Sequence, residues 1–303
     1  MQDVILQVKN LAKSFKSFRA VKDVSFEVRR GDVFGFLGPN GAGKSTTLRC
    51  AMSLISPDSG SISFFGLPLS RHREEILARV GCIVERADFY RYLSGRRNLQ
   101  LFGRISGSLP TARDIDRVLD IVGLGTRGND AVRGYSQGMK QRLGIALTLL
   151  HNPDFIVLDE PTNGLDPQGI IDVRNLLLRL REEEGKTVLL SSHQLSEIEL
   201  VANRMVIINK GETIVEGEVL DLLRADDITA SFEVSSVDRA RTLLTEHAND
   251  VRIVGSDDHH VRVSIHKQRV PEVTLLLLRN GVEVWSVDAK RKLEEYFISL
   301  LQS

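Results

Sequence analysis

Cysteine is scarce: Cys50 and Cys82 are the two in 303 residues, too few for a disulfide framework. Both fall in apolar stretches and are expected to be buried thiols with no redox role. No apolar run approaches the roughly 20 residues that a membrane-spanning helix needs. The start, Met1-Gln2-Asp3-Val4, has no basic stretch leading into an apolar one, so no secretory signal is expected and the protein reads as cytoplasmic. Action at a membrane would then need a partner to bring the chain there. Net charge is also missing, because 40 Lys and Arg balance 40 Asp and Glu. That removes the broad attraction to phosphate backbones on which a purely electrostatic nucleic-acid binder relies. With 42% hydrophobic and 26% charged residues, disorder is excluded, and the length suggests about two domains. Neither a short-period repeat nor a low-complexity tract is visible.

What is present is an alternation of strand and helix signals. Val4–Val8 and Val24–Val28 read as strands with partial alternation, and Asp32–Leu37 as a strand buried on both faces. Asp154–Leu158 and Thr187–Ser191 repeat that buried signature, separated by a helical pattern from about Gln168 to Glu184. The order predicts right-handed crossovers and a mainly parallel sheet, an α/β fold. The pattern changes near residue 225. Beyond it, a strand to about Val234, a helix Val237–Ala248, strands Val251–Val254 and His260–His266, a helix near Val270–Arg279 and a strand Val282–Val287 follow. That order is the split βαβ, ferredoxin-like pattern of a small α+β domain. The expected domains are therefore 1–224 and 225–303.

Gly38-Pro39-Asn40-Gly41-Ala42-Gly43-Lys44-Ser45 fits G-x-x-x-x-G-K-[ST] between a buried strand and a helix, the context this phosphate loop requires. Glycines let the backbone wrap a phosphate chain and present N–H groups, and the helix N-terminus adds partial positive charge. Lys44 can reach the β- and γ-phosphates, and the Ser45 hydroxyl can ligate Mg²⁺. An apolar strand then delivers Asp159 to the same sheet edge, where it can hold Mg²⁺ through a water. Glu160 follows, placed to polarise a water for in-line attack on the γ-phosphate. Acidic pairs at strand ends are often simple caps; paired with a phosphate loop, they point to hydrolysis of a nucleoside triphosphate, a chemistry many families share.

Tyr135-Ser136-Gln137-Gly138-Met139-Lys140-Gln141-Arg142 opens a helix just upstream of the Asp159 strand. A serine N-cap alone would carry no further meaning, but this run resembles the signature motif of the ABC-transporter ATPases. Asn163-Gly164-Leu165-Asp166 is similar to that family's D-loop, His193 matches its switch histidine, and Phe15 falls where the family stacks an aromatic ring on adenine. The resemblance covers about residues 4–220. It implies an ABC-type P-loop fold with a helical subdomain over about 86–145, and ATP with Mg²⁺ as cofactors. It further implies nucleotide contacts from Phe15, Gly38 through Ser45, Thr46 and Ser136–Met139, catalysis by Lys44, Glu160 and His193, and metal contacts from Ser45, Glu85 and Asp159. In such a family two copies, or one copy and a related ATPase, sandwich two ATP molecules between one chain's loop and the other's signature. The implied partner is a separate membrane permease that holds the ATPase on the inner face of the cell membrane; no nucleic-acid partner is expected.

Two departures narrow the resemblance. Glu85 stands where the family's Q-loop glutamine is expected; its carboxylate can still orient a metal-bound water but donates no hydrogen bond when ionised. Gln137 and Met139 replace the commonest signature residues. Both departures resemble the antibiotic-resistance exporters of the bacitracin and daunorubicin type, which implies export of drugs, antibiotics or lipid-like compounds. The alternative, a soluble ABC ATPase acting on ribosomes or DNA, lacks the second cassette or the long coiled coil such proteins carry. The C-terminal segment holds none of the nucleotide motifs and is expected to serve dimerisation or regulation. His259 and His260 follow Ser256-Asp257-Asp258 at an expected solvated turn, and Leu293, Phe297 and Leu300 form an apolar stripe on an expected closing helix, Leu293–Leu301.

Overall fold

The computed structural model describes residues 3–84, 88–107, 109–223, 227–248, 251–291 and 297. The chain divides into two compact units at Val219–Leu220. The first carries a ten-stranded sheet in the order Leu67–Pro68, Ser59–Phe64, Val4–Phe15, Phe18–Arg29, Glu212–Glu218, Arg204–Asn209, Val33–Leu37, Thr187–Ser192, Phe155–Leu158, Val80–Ile83. From Arg204–Asn209 to Val80–Ile83 every pairing is parallel. Val33–Leu37, Phe155–Leu158 and Thr187–Ser192 are buried at every residue, as strands of a covered parallel sheet must be. Parallel strands present all their C-terminal ends at one edge, and the conserved chemistry of such sheets gathers there.

The other half of the sheet is an antiparallel wing. Val4–Phe15 pairs with both Phe18–Arg29 and Ser59–Phe64, and the first hairpin closes with Phe15 opposite Phe18. The wing shares one core with the parallel strands. Phe26 stacks on Phe34 with centroids 5.8 Å apart and lies 5.0 Å from Phe36, while Phe64 meets Phe155 at 6.0 Å. These rings fix the Val33–Leu37 strand against the wing and so hold the loop that follows it.

Between Val80–Ile83 and Phe155–Leu158 the described residues form three helices of eight or more residues, Gly95–Ile105, Ala112–Ile121 and Gln137–Leu149. Ser94 caps the first by accepting from the Arg97 amide, and Thr111 with Asp114 forms a reciprocal capping box on the second. Asn98, fully buried, accepts from the Tyr90 amide and donates to the Tyr90 and Ser94 carbonyls, pinning the turn between them.

Cys50 is buried, as expected, and burial pushes its thiol up to about 11. Cys82 is not: it is exposed, because Val80–Ile83 is the terminal strand of the sheet and has one uncovered flank. It borders a groove of about 750 Å³ lined in part by Leu77, Ser106 and His151, and desolvation there still raises its thiol above the ordinary range.

The second unit has a four-stranded antiparallel sheet ordered Arg252–Ser256, His260–His266, Asp227–Val234, Val284–Arg291, with helices Val237–His247 and Val270–Arg279. The β-α-β-β-α-β order is the split βαβ pattern. Its core holds Phe232, Val261, Val263, Leu244 and Leu277. The His259–His260 turn is closed by Asp257, whose carboxylate bonds the His260 ring at 2.8 Å and takes the His259 and His260 amides. Those contacts hold its carboxyl down to about 2. Of the expected apolar stripe, Phe297 is helical and buried, whereas Leu293 and Leu300 lie outside the described residues.

Candidate active site

The Val33–Leu37 strand runs into Gly38–Gly43 and then the helix Lys44–Ala51. Gly43 has φ +103, and a Cβ there would lie 2.7 Å from the Ala20 carbonyl oxygen. A Cβ on Gly38 would lie 2.5 Å from the Ile208 carbonyl oxygen. The loop is thus wrapped so closely on neighbouring backbone that neither position admits a side chain. Asn40 and Gly41 are exposed, Pro39 and Ala42 are buried, and Ser45 and Thr46 are half-buried in the helix's first turn. No acidic residue occupies that turn, so the partial positive charge of the helix end is not neutralised from within.

Lys44 is 5% exposed. Its ammonium donates to the carbonyls of Gly38 at 2.7 Å and Pro39 at 3.2 Å, and pairs with Glu160 Oε1 at 3.2 Å. The acid pair is held from the adjacent strand. The Asp159 amide donates to the Ile83 carbonyl at 2.9 Å. Glu160 sits at φ +47, an uncommon backbone conformation for a side chain of its size. Its Oε2 lies 3.0 Å from His193 Nδ1 and 3.3 Å from Asn163 Nδ2. Lys44, Asp159, Glu160 and His193, read from separate parts of the sequence, therefore meet at one sheet edge.

The other site residues lie apart from this cluster. Ser136 caps the helix Gln137–Leu149 by accepting from the Met139 amide at 3.2 Å; Ser136 and Gln137 are exposed and Gly138 is buried. A Cβ on Gly138 would touch Gly169 Cα at 3.5 Å, so this turn abuts the start of the helix Pro167–Glu182, which Asp166 caps through the Gly169 amide. Phe15 is 44% exposed at the hairpin end, with the Lys13 ammonium 5.7 Å from its ring centre. Glu85 lies outside the described residues.

Among the described residues no group of three or more His, Cys, Asp or Glu could cage a metal. The loop and acid pair instead offer the Ser45 hydroxyl and the Asp159 carboxylate. Two hard oxygen donors suit Mg²⁺, which keeps waters and takes phosphate oxygens rather than a full protein cage.

A model of the ABC transporter family matches residues 21–163. The bacitracin transport ATP-binding protein BcrA of Bacillus licheniformis is 39% identical over 298 residues, 98% of this chain and 97% of that protein. This chain belongs to the ABC transporter ATP-binding proteins. The ABC transporter ATP-binding protein YhcH of Bacillus subtilis (strain 168) is also 39% identical, over 98% of this chain and 95% of its own length. Among solved structures, the ADP conformation of MJ1267, an ATP-binding cassette of an ABC transporter, superposes with a TM-score of 0.65 at 25% identity, covering 71% of this chain and 91% of that one. Like its family, the protein binds ATP and is an ATPase. Among the described residues no helix is long and apolar enough to cross a membrane.

Sequence reading passed over Ser191 and Glu197 of this ATPase site and took Asn163 only as part of the D-loop resemblance. Ser191 bridges the acid pair, Asn163 bonds the Glu160 carboxylate, and Glu197 accepts from both Thr162 at 2.8 Å and Ser192 at 2.7 Å. The available signal was the pair of serines closing an otherwise apolar strand just before His193, since buried hydroxyls need partners.

Proposed function

We propose that this ATPase drives a separate membrane permease that exports peptide antibiotics or similar amphipathic compounds. The observation that carries this reading is the 39% identity to the bacitracin transport ATP-binding protein, which runs through nearly the whole of both chains, the C-terminal unit included. In this reading Gly38–Thr46 cradle the phosphates, Phe15 stacks on the adenine, and Ser45 and Asp159 hold Mg²⁺ together with phosphate oxygens. Bound there, Mg²⁺ would neutralise charge on the phosphates. Lys44 exchanges its carbonyl and carboxylate partners for phosphate oxygens. Glu160 polarises the attacking water, and His193, 3.0 Å from its carboxylate, orients it and meets the γ-phosphate.

The Ser136–Met139 turn opens a helix N-terminus toward solvent, which suits an anion presented by a second cassette. Two copies, or this chain with a related ATPase, would then enclose two ATP molecules. Exposed Tyr90, Tyr92, Ile105 and Leu109 gather on the helical segment after Glu85, and we assign that segment to the permease's cytoplasmic face. The portion 1–224 thus performs hydrolysis, and 225–303 acts as an accessory domain in dimerisation or regulation. Purification of the tagged chain from detergent-solubilised membranes tests the proposal: an integral membrane protein should co-purify, and co-sedimentation with ribosomes instead would overturn it.

A further inference from the structure

Ser191 is fully buried near the end of the strand Thr187–Ser192, between the two acidic residues and used by neither role assigned above. Its hydroxyl accepts from the Glu160 amide at 2.8 Å and donates to Asp159 Oδ1 at 2.5 Å. A hydroxyl has a single proton. Since the amide can only donate, that proton is committed to Asp159, so both bonds have a fixed direction and reinforce each other. The Glu160 bond also stabilises the left-handed turn at φ +47, which aims the glutamate side chain back toward Lys44 and His193. The Asp159 bond takes one lone pair of Oδ1 and restrains the carboxylate, whose remaining lone pairs stay available to a metal-bound water.

We propose that Ser191 is a positioning residue for hydrolysis, one hydroxyl that sets both the presentation of Asp159 and the backbone conformation of Glu160. This rests on the metal and base roles proposed for those two residues. Both hydrogen bonds of the Ser191 hydroxyl go to the acid pair, and the neighbouring Gly38 amide bonds the Ser192 backbone carbonyl, which the substitution keeps, so removing the hydroxyl should leave the nucleotide cradle intact while misplacing the acid pair.

The test uses the full chain. Ser191→Ala should lower kcat by about 10–100-fold, the size expected for a lost hydrogen bond to a charged group, with KM for ATP little changed. ATP binding measured in EDTA should match wild type, while the Mg²⁺ concentration needed for half-maximal ATP affinity rises. Ser191→Thr, which keeps the hydroxyl, should restore both. If Ser191→Ala does not fold by circular dichroism, Ser191→Cys, with a weak donor of similar size, carries the comparison. The proposal is overturned if the folded variant keeps wild-type kcat and Mg²⁺ dependence, if it loses ATP binding in EDTA, or if a folded Ser191→Thr is equally impaired. Glu160→Gln assayed alongside separates the two claims: a slow Glu160→Gln with a fast Ser191→Ala overturns only the role of Ser191, whereas a fast Glu160→Gln overturns the base assignment beneath it.

Discussion

Glu160→Gln removes one charge and almost no volume at the centre of the cluster. The carboxylate it replaces faces three donors: Lys44 at 3.2 Å, His193 at 3.0 Å and Asn163 at 3.3 Å. The amide keeps one acceptor oxygen: at the Oε2 position it retains His193 and Asn163 and turns its NH2 toward Lys44, and at the Oε1 position it retains Lys44 alone. Lys44 keeps its bonds to the Gly38 and Pro39 carbonyls, which leaves the loop folded and able to take phosphates. What is lost is proton acceptance from the attacking water. A positioned general base contributes about 10²–10⁴-fold, equivalent to about 2.7–5.4 kcal/mol of barrier at 1.36 kcal/mol per decade. Phosphate release under saturating Mg-ATP should fall by that factor, while equilibrium ATP binding stays at or above wild type. If two copies enclose ATP as proposed, light scattering with Mg-ATP should show a dimer that persists, because in that cycle hydrolysis precedes reopening. Phosphate release near the wild-type rate would refute the assignment, and loss of ATP binding would show that the carboxylate supports the loop rather than the water.

Arg204 is 7% exposed and donates to the Glu27 carbonyl, to Asp32 and to Glu216, while Asp32 itself is 3% exposed. Arg204→Ala should therefore destabilise the fold by about 3–5 kcal/mol, because it strands a buried carboxylate; calorimetry should register a lower midpoint, and a change under 1 kcal/mol would contradict the buried network. A thiol reagent should label one cysteine of the native protein, Cys82, and reach Cys50 only after denaturation. Because the Cys82 thiol is raised by desolvation, its labelling should be slow at neutral pH and still accelerate above pH 9; rapid labelling at pH 7 would show a thiol that desolvation does not raise.

The parallel strands and their site were legible because the physics is local. A strand buried on both faces is an uninterrupted apolar run, and each of the three site strands ends in residues that break the run: glycines after Leu37, Asp159 after Leu158, His193 after Ser192. The antiparallel wing was read only in part. Val4–Val8 and Val24–Val28 carry the apolar alternation, but their strands extend to Phe15 and back to Phe18 through Lys9, Lys13, Arg19 and Lys22, where charged residues and shifts of register interrupt that alternation. Cys82 was misread for a different reason. Its neighbours are apolar in sequence, yet its exposure depends on which strand ends the sheet, and strand order is a property of the whole chain.

The hydroxyls beside His193 show where local reading stops. Successive residues of a strand point to opposite faces, so Ser191 and Ser192 cannot serve the same partner. Ser191 turns to Asp159 and Glu160, and Ser192 turns to Glu197, which also holds Thr162. One strand end thus anchors both the acid pair and, two residues on, the turn that carries Asn163 to the Glu160 carboxylate. In sequence these are two serines after an apolar run. Their division of labour follows from the strand's alternation combined with a crossover that returns the chain beside Phe155–Leu158, and it makes the placement of Glu160 depend on both faces of a strand that contributes no charge to the site.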